Sequence, residues 1–328
     1  MVYLETGSQD PYYNLAAEEV LLFSMDPKET YLMLWQNDRT IVVGKYQNTA
    51  EEINQAYVDA HGIRVARRLT GGGAVYHDLG NLNYTIVTPQ AEGSLAFDFQ
   101  AFAQPVVRVL ARLGVEAQFN GRNDLTVEGK KISGCAQYAG GGRLLHHGCI
   151  LLGGDLGALA QALRVKDAKI QSKGVKSVSS RVTTVNEHAP QPVSVEGFKA
   201  ALLAELFPQG APAPYRFSPQ EEAAIQKLRA EKYATWEWNY GFFGDYEMRR
   251  EKKFPAGLVT VYLNAKDARI QQVRLRGDFW GEGEIGELEA AMEGLPLDSH
   301  LAEALERLEV SRYLHGIGAA ELAELLLY

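Results

Sequence analysis

The sequence predicts an α+β fold: a mixed, largely antiparallel sheet flanked by helices, followed by a small α+β C-terminal domain. Three observations carry this expectation. Strand-like runs and amphipathic helical runs alternate irregularly along the chain. Several consecutive strand-like runs are separated only by short Gly- or Asn-containing turns, which suit antiparallel neighbours and are too short for a crossover. A Gly-containing, highly charged stretch at residues 241–255 then separates a second set of elements from the first. At ~100–200 residues per domain, the 328 residues suit two domains, placed at 1–245 and 246–328.

Asp10-Pro11 opens a helix, with Asp as N-cap and Pro at the first helical position, and apolar spacing carries it to about Phe23. Tyr31–Trp35 and Thr40–Val43 read as strands around the polar turn Asn37-Asp38-Arg39. Residues 51–61 look helical, and residues 63–68 alternate and are β-branched, as in a strand. The run Thr70-Gly71-Gly72-Gly73-Ala74 must be a tight turn or loop. Residues 82–87 form another strand and residues 101–113 a helix closed by Gly114. Strands at 115–119, 125–127, 131–138 and 144–152 follow, linked by turns at Gly129 and Gly140-Gly141-Gly142, then a short helix over 155–163. Residues 208–217, rich in Pro and Ala, read as a linker between helices. Beyond 255, a hairpin (258–263 and 270–275) precedes helices at 286–292 and 300–308.

The composition, 46% hydrophobic and 23% charged, is that of an ordinary globular protein. A net charge of -8 argues against a general nucleic-acid binder, which would carry a basic face. Two cysteines, Cys135 and Cys149, make no disulfide framework. The first twenty residues lack the pattern of a signal peptide, and no run of ~18 apolar residues suggests a membrane span. A reduced cytoplasmic setting and a monomer are the default expectations.

Three segments carry chemistry. The first runs from Arg67-Arg68 through Gly71-Gly72-Gly73 to His77-Asp78. Three consecutive glycines cost backbone entropy, more than a plain hairpin needs. Two readings are open: a turn, or a loop whose backbone a ligand approaches closely, with the arginines and free N–H groups suiting a carboxylate or phosphate. The second segment is Gly121-Arg122-Asn123-Asp124, then Gly129-Lys130-Lys131-Ile132-Ser133-Gly134. Neighbours on a strand face opposite ways, so if Lys130 faces solvent, Lys131 faces inward. Asn123-Asp124 reads either as turn chemistry or as a polar pair for a metal-bound phosphate or an amine. The third is His146-His147-Gly148, where a satisfied core histidine competes with a binding role. A basic stretch from Arg164 to Arg181 is either a solvated loop or one that closes over a nucleotide. No G-x-x-x-x-G-K-[ST] or G-x-G-x-x-G loop occurs, and the histidines have no zinc spacing.

In order along the chain, these segments resemble the lipoate–protein ligase A family. R-R-x-x-G-G-G-A-V-x-H-D stands at residues 67–78, G-R-N-D at 121–124, G-x-K-[IV]-S-G at 129–134 and H-H-G at 146–148. Residues 177–182 resemble the family's adenylate loop, and Trp236-Glu237-Trp238-Asn239-Tyr240-Gly241 the stretch before its accessory domain. The resemblance implies a biotin/lipoate ligase-like catalytic domain and an accessory domain. It implies ATP with Mg²⁺, lipoate as substrate, a lipoyl-adenylate intermediate, and transfer to a lysine of an acceptor. Such acceptors are the lipoyl domains of 2-oxoacid dehydrogenase complexes and the glycine-cleavage H protein.

On that resemblance, Lys131 bridges the carboxyl and the α-phosphate, Asn123 holds the phosphate or its Mg²⁺, and Asp124 orients the acceptor amine. Arg68, Gly71, Gly72, Gly73, Ala74, Val75, Gly134, Ser177, Val178, Ser180 and Arg181 are expected to bind the adenylate or acyl group. Trp35, His77 and His147 are expected to line the tail tunnel. The nearest rival is an octanoyl- or lipoyl-transferase without ATP, using Cys135 or Cys149 as a thiolate nucleophile. Biotin ligase is disfavoured because its G-R-G-R motif is absent. A non-catalytic carrier-binding or lipoate-binding protein, keeping the fold but not the turnover, is a third reading.

Overall fold

The computed structural model describes residues 1–90, 98–120, 123–164, 181–241 and 246–327. The chain begins with β1 (Val2–Glu5), α1 (Pro11–Phe23), β2 (Tyr31–Trp35) and β3 (Thr40–Val43). Short helices α2 (Thr49–Glu52) and α3 (Gln55–His61) precede β4 (Arg64–Arg67), β5 (Val75–His77) and β6 (Asn81–Pro89). Helix α4 (Phe99–Arg112) leads into β7 (Gln118–Asn120), β8 (Asp124–Val127), β9 (Lys130–Gly140) and β10 (Arg143–Leu151). Helices α5 (Leu156–Ala162), α6 (Val195–Leu206), α7 (Pro219–Leu228) and α8 (Trp236–Tyr240) complete this part. The remainder holds β11 (Met248–Phe254), β12 (Gly257–Lys266), β13 (Arg269–Gly277), α9 (Ile285–Met292), α10 (Leu301–Glu306), α11 (Val310–Tyr313) and α12 (Ala319–Leu327).

A seven-stranded sheet of order β1-β2-β6-β10-β9-β8-β7 is the scaffold, antiparallel except for the parallel pair β1–β2. Both faces are covered. Leu32 and Leu34 of β2 join Tyr84, Ile132 and Ile150 beneath α4 and α6. Tyr31, Met33 and Trp35 point the other way, to α1, Ile225 and Tyr233. That strict alternation is why β2 is buried along its whole length. A smaller sheet, β4-β3-β5, packs on the α1 side, with β3 and β4 parallel.

The expected caps hold. Asp10 accepts from Tyr12 N at 3.1 Å, with Pro11 starting α1. Glu128 and Gly129, both with positive φ (51° and 76°), make the turn that sends β9 back along β8. Three readings are corrected. β2 and β3 are not a hairpin: β2 pairs with β1 and β6, and β3 with β4 and β5. Residues 51–61 are not one helix, because Ile53 is extended and Asn54 caps a new helix by accepting from Tyr57 N. The charged run at 248–254 is a strand, not a linker; alternate residues are exposed, as suits the edge of the C-terminal sheet β11-β12-β13.

The C-terminal sheet and helices have their own core, and Tyr46 reaches into it, stacked on Phe279 at 4.7 Å. Lys45 Nζ lies 2.9 Å from both carboxyl oxygens of Glu284, and Gly277 N donates to Tyr46 O at 2.9 Å. No helix among the described residues is long and apolar enough to cross a membrane.

Candidate active site

The strand register creates a row across one face of the large sheet. Asp124 pairs with Gly134, Gly134 with Cys149, Cys149 with Asn83, and Asn83 with Trp35. Four strand spacings of ~4.8 Å make this row ~19 Å long. The glycine loop between β4 and β5 roofs it, leaving a cleft lined by Trp35, Arg68, Gly73, His77, Lys131 and His147 among others.

At the β8–β9 end, Lys131 Nζ lies 2.8 Å from Asp124 Oδ1. Gly134 makes room for that side chain, since a methyl there would sit 2.6 Å from Lys131 Nζ. Lys131 N donates to Arg181 O at 2.8 Å, and its carbonyl accepts from Thr183 N at 2.9 Å. Asn123 is fixed to the same strand, its Nδ2 donating to Cys135 O at 2.6 Å. Asp124, expected to orient an amine, is paired with Lys131.

The two arginines do different work. Arg67 is wholly buried and donates to carbonyls of Gly44, Lys45, Gln47, Trp238 and Asn239 and to Thr49 Oγ1. It clamps the chain around α8 and faces no ligand. Burial pulls its pKa down to about 9. Arg68 lines the cleft, yet it spends its donors on Thr70 Oγ1 and on the carbonyls of Val42, Gly71 and Gly73. It shapes the glycine loop from within, and burial pulls its pKa down to about 10.

Gly73, Ala74, Val75, His77, Trp35, Gly134 and His147 all line the cleft with Lys131, Asn123 and Arg68. Gly71 and Gly72 do not; they back onto Phe279 and Trp280 of the C-terminal domain. Ser177, Val178 and Ser180 lie outside the described residues.

Sequence reasoning missed the buried polar chain that supports the cleft. Arg68 Nε donates to Thr70 Oγ1, which is 2.8 Å from His147 Nε2. His147 Nδ1 lies 2.8 Å from Glu18 Oε1, which also accepts from Thr85 Oγ1, itself the acceptor for Trp35 Nε1 at 2.8 Å. Two of its branches, through His147 and through Thr85, converge on Glu18 Oε1. The signal was present: Glu18 falls between Leu15 and Leu22 on the buried stripe of α1, three and four residues apart.

The thiols fit a nucleophile poorly. Both are buried; Cys135 packs beneath α4, 3.3 Å from Tyr84 Oη, and burial pushes its thiol up to about 12. Burial raises Cys149 as well. Neither holds the thiolate that acyl transfer needs at neutral pH.

A family model described as lipoyl protein ligase A/B catalytic domain matches residues 10–207, and one described as bacterial lipoate protein ligase C-terminus matches 244–326. The chain belongs to the lipoate–protein ligase family. Lipoate–protein ligase 1 of Staphylococcus aureus is 41% identical over 318 residues, covering 97% of each chain. Lipoate–protein ligase LplJ of Bacillus subtilis is 38% identical over 331 residues, covering 99% of this chain and 100% of that one. Among solved structures, a lipoate–protein ligase A bound with ATP is 29% identical, with a TM-score of 0.64 over 74% of this chain and 98% of that chain. The fold of P. falciparum LipL1, solved in complex with lipoate, is also similar, with a TM-score of 0.80 at 23% identity over 99% of each chain. The ligase fold thus extends through the C-terminal sheet and helices, as the sequence implied.

Proposed function

We propose that this ligase activates lipoate with ATP to lipoyl-adenylate and passes the lipoyl group to a lysine of an acceptor protein. One observation carries the reading: the row from Asp124 to Trp35 places a lysine at one end of the cleft and an indole at the other. An amphipathic acid with a carboxylate head and an apolar tail fits that polarity. The relative bound with ATP supports the nucleotide, and P. falciparum LipL1 is a fold neighbour solved with lipoate.

In the first step a carboxylate oxygen attacks the α-phosphorus and pyrophosphate leaves. Lys131 supplies the positive charge that lets two anions meet, and Asp124 holds its ammonium group in place. Asn123 and the backbone of Gly73 border the same space, with Arg68 keeping the loop in shape. The Arg181 carbonyl ties the chain after the 177–180 segment to Lys131 itself. In the second step a neutral acceptor amine attacks the acyl carbonyl and AMP leaves; the adenylate is already activated, so no thiol is required. Asp124 would orient the amine, which loses its proton as the amide bond forms.

Among the described residues no cluster of three His, Cys, Asp or Glu could hold a metal. Mg²⁺ carried on ATP needs only one or two protein oxygens. Asn123 would hold it through the phosphate, and it would neutralise phosphate charge. We assign residues 1–245 to catalysis and 246–328 to the accessory domain. The acceptors are lipoyl domains of 2-oxoacid dehydrogenase complexes or the glycine-cleavage H protein, and the enzyme works as a cytoplasmic monomer. A bipartite relative from Thermoplasma acidophilum, 31% identical with a TM-score of 0.65, was studied together with its E2 lipoyl domain, which supports the acceptor class.

The test is incubation with lipoate and Mg-ATP without acceptor, followed by mass spectrometry. Lipoyl-adenylate and pyrophosphate are expected. Their absence, with an acyl adduct on Cys149 when an acylated carrier is supplied, would replace this reading with thiol transfer.

A further inference from the structure

The tail end of the cleft is not purely apolar. His77 and Asn83 both line it, His77 being 4% exposed and Asn83 1%. Among the described residues, His77 Nε2 and Asn83 Nδ2 are buried side-chain nitrogens with no hydrogen-bond partner. Buried polar atoms are paired as a rule, so each exception needs an explanation.

The identity of the His77 nitrogen follows from its neighbours. Asn14 Nδ2 donates to Asn37 Oδ1 at 3.0 Å, which fixes the Asn37 amide and turns its Nδ2 toward His77 Nδ1 at 3.3 Å. Asn14 is itself fixed, because it also donates to the carbonyls of Ser8 and Gln36 while accepting from Thr6 Oγ1. His77 Nδ1 is therefore an acceptor and Nε2 carries the hydrogen. Burial, with Arg68 and His147 nearby, drives the His77 pKa down to about 3, so the ring is neutral in this tautomer. Asn83 Nδ2 contributes further hydrogens. Both residues flank Trp35: its ring lies 6.2 Å from that of His77, and it pairs with Asn83 across the strands.

The distance along the row places them. Asn83 lies two strand spacings from Gly134, which packs on Lys131; that is ~9.6 Å. An extended eight-carbon acid with its carboxyl at Lys131 brings its last carbons here. We infer that His77 and Asn83 form a donor subsite that recognises acceptor atoms at the end of the acyl tail, and so select the ring sulfurs of lipoate over an all-carbon tail of the same length. This rests on the lipoate reading of the cleft. Sulfur is a weak acceptor, so the preference is modest. It arises mainly because a carbon tail leaves both donors buried and unpaired.

The experiment is calorimetric titration of the full-length protein with lipoate, octanoate and 5-cyclopentylpentanoate, which keeps the ring shape of lipoate and lacks sulfur. Lipoate should bind ~10-fold more tightly than the cyclopentyl acid, about the worth of one hydrogen bond. In Asn83→Leu the ratio should fall toward one. Equal affinity of the unmodified protein for the two ring acids overturns the donor subsite and leaves the lipoate reading standing. Failure to bind any of the three acids overturns the reading of the cleft itself. Both outcomes come from the unmodified chain, so misfolding of a variant cannot obscure them.

Discussion

Replacing Lys131 with alanine separates chemistry from folding more cleanly than any other change in this cleft. Its side chain is 31% exposed and that of its partner Asp124 32%, but Asp124 Oδ1 itself is buried and has no other partner among the described residues, so losing the lysine costs ~1–3 kcal/mol. The backbone of Lys131, which bonds to Arg181 and Thr183, is unchanged by the substitution. The melting temperature should therefore fall by several degrees with the fold intact. The rate should move far more, because a preorganised donor at the transferring phosphoryl group is worth ~2.7–4 kcal/mol in the transition state, or ~100–1,000-fold. Pyrophosphate release in the presence of lipoate and Mg-ATP reads the first step. Transfer from chemically prepared lipoyl-adenylate reads the second, and it should suffer much less because activation is bypassed. Lys131→Arg should rescue little, since the slot beside Gly134 is cut to a slim aliphatic stem and a guanidinium is wider. Near-normal pyrophosphate release by a folded Lys131→Ala protein would refute the role given to this residue.

Cys135→Ser combined with Cys149→Ser should leave lipoylation of an acceptor domain within ~3-fold of normal, with stability lowered by ~1–3 kcal/mol for each buried hydroxyl; loss of turnover in the folded double variant would restore the thiol mechanism. Gly71→Ala should lower the melting temperature and loosen the C-terminal domain, because the added methyl overlaps the Phe279 carbonyl oxygen; limited proteolysis between the domains reads this. His77 and His146 both have pKa values lowered to about 3, chiefly by burial, whereas unfolded histidine titrates near ~6.5. Between those values the unfolded chain binds more protons, so stability should fall as pH drops from ~6.5 toward ~3, and His77→Gln with His146→Gln should flatten melting temperature against pH.

Much of the fold was legible because local chemistry decided it. The Asp10-Pro11 cap, the β8–β9 and β9–β10 turns and the β12–β13 hairpin lie where residue types alone require them. What failed was pairing. The turn after Trp35 looks like a hairpin turn, yet β2 and β3 belong to different sheets, because β2 finds its partner in β6, some fifty residues on. Long-range partner choice rests on which faces bury together, and no local pattern carries it. The strand at 248–254 was hidden for a different reason: its charged side chains are held in ion pairs, Arg249 with Glu51 and Glu251, and Lys252 with Glu324, on an edge where charge is tolerated.

The site was legible as motifs and illegible as geometry, and the glycine run shows why. From sequence it was either a turn or a ligand-approach loop. In the structure the three glycines have three different surroundings. Gly71 has none to spare on its far side, where the Phe279 carbonyl of the C-terminal domain lies. Gly72 has φ of 92°, a conformation a side chain would strain, and it leaves room for the Arg68 guanidinium. Gly73 alone faces open space at the cleft, with nothing within 4 Å of where a Cβ would stand. One wall therefore serves two surfaces: Gly73 borders the cleft, and Gly71 and Gly72 back onto Phe279 and Trp280. A movement that carried Phe279 and Trp280 away from the loop would be felt by Gly71 and Gly72, and through Arg68 by Gly73. The run of three glycines is the narrowest backbone that lets both surfaces come that close, which neither a hairpin nor a ligand alone would have required.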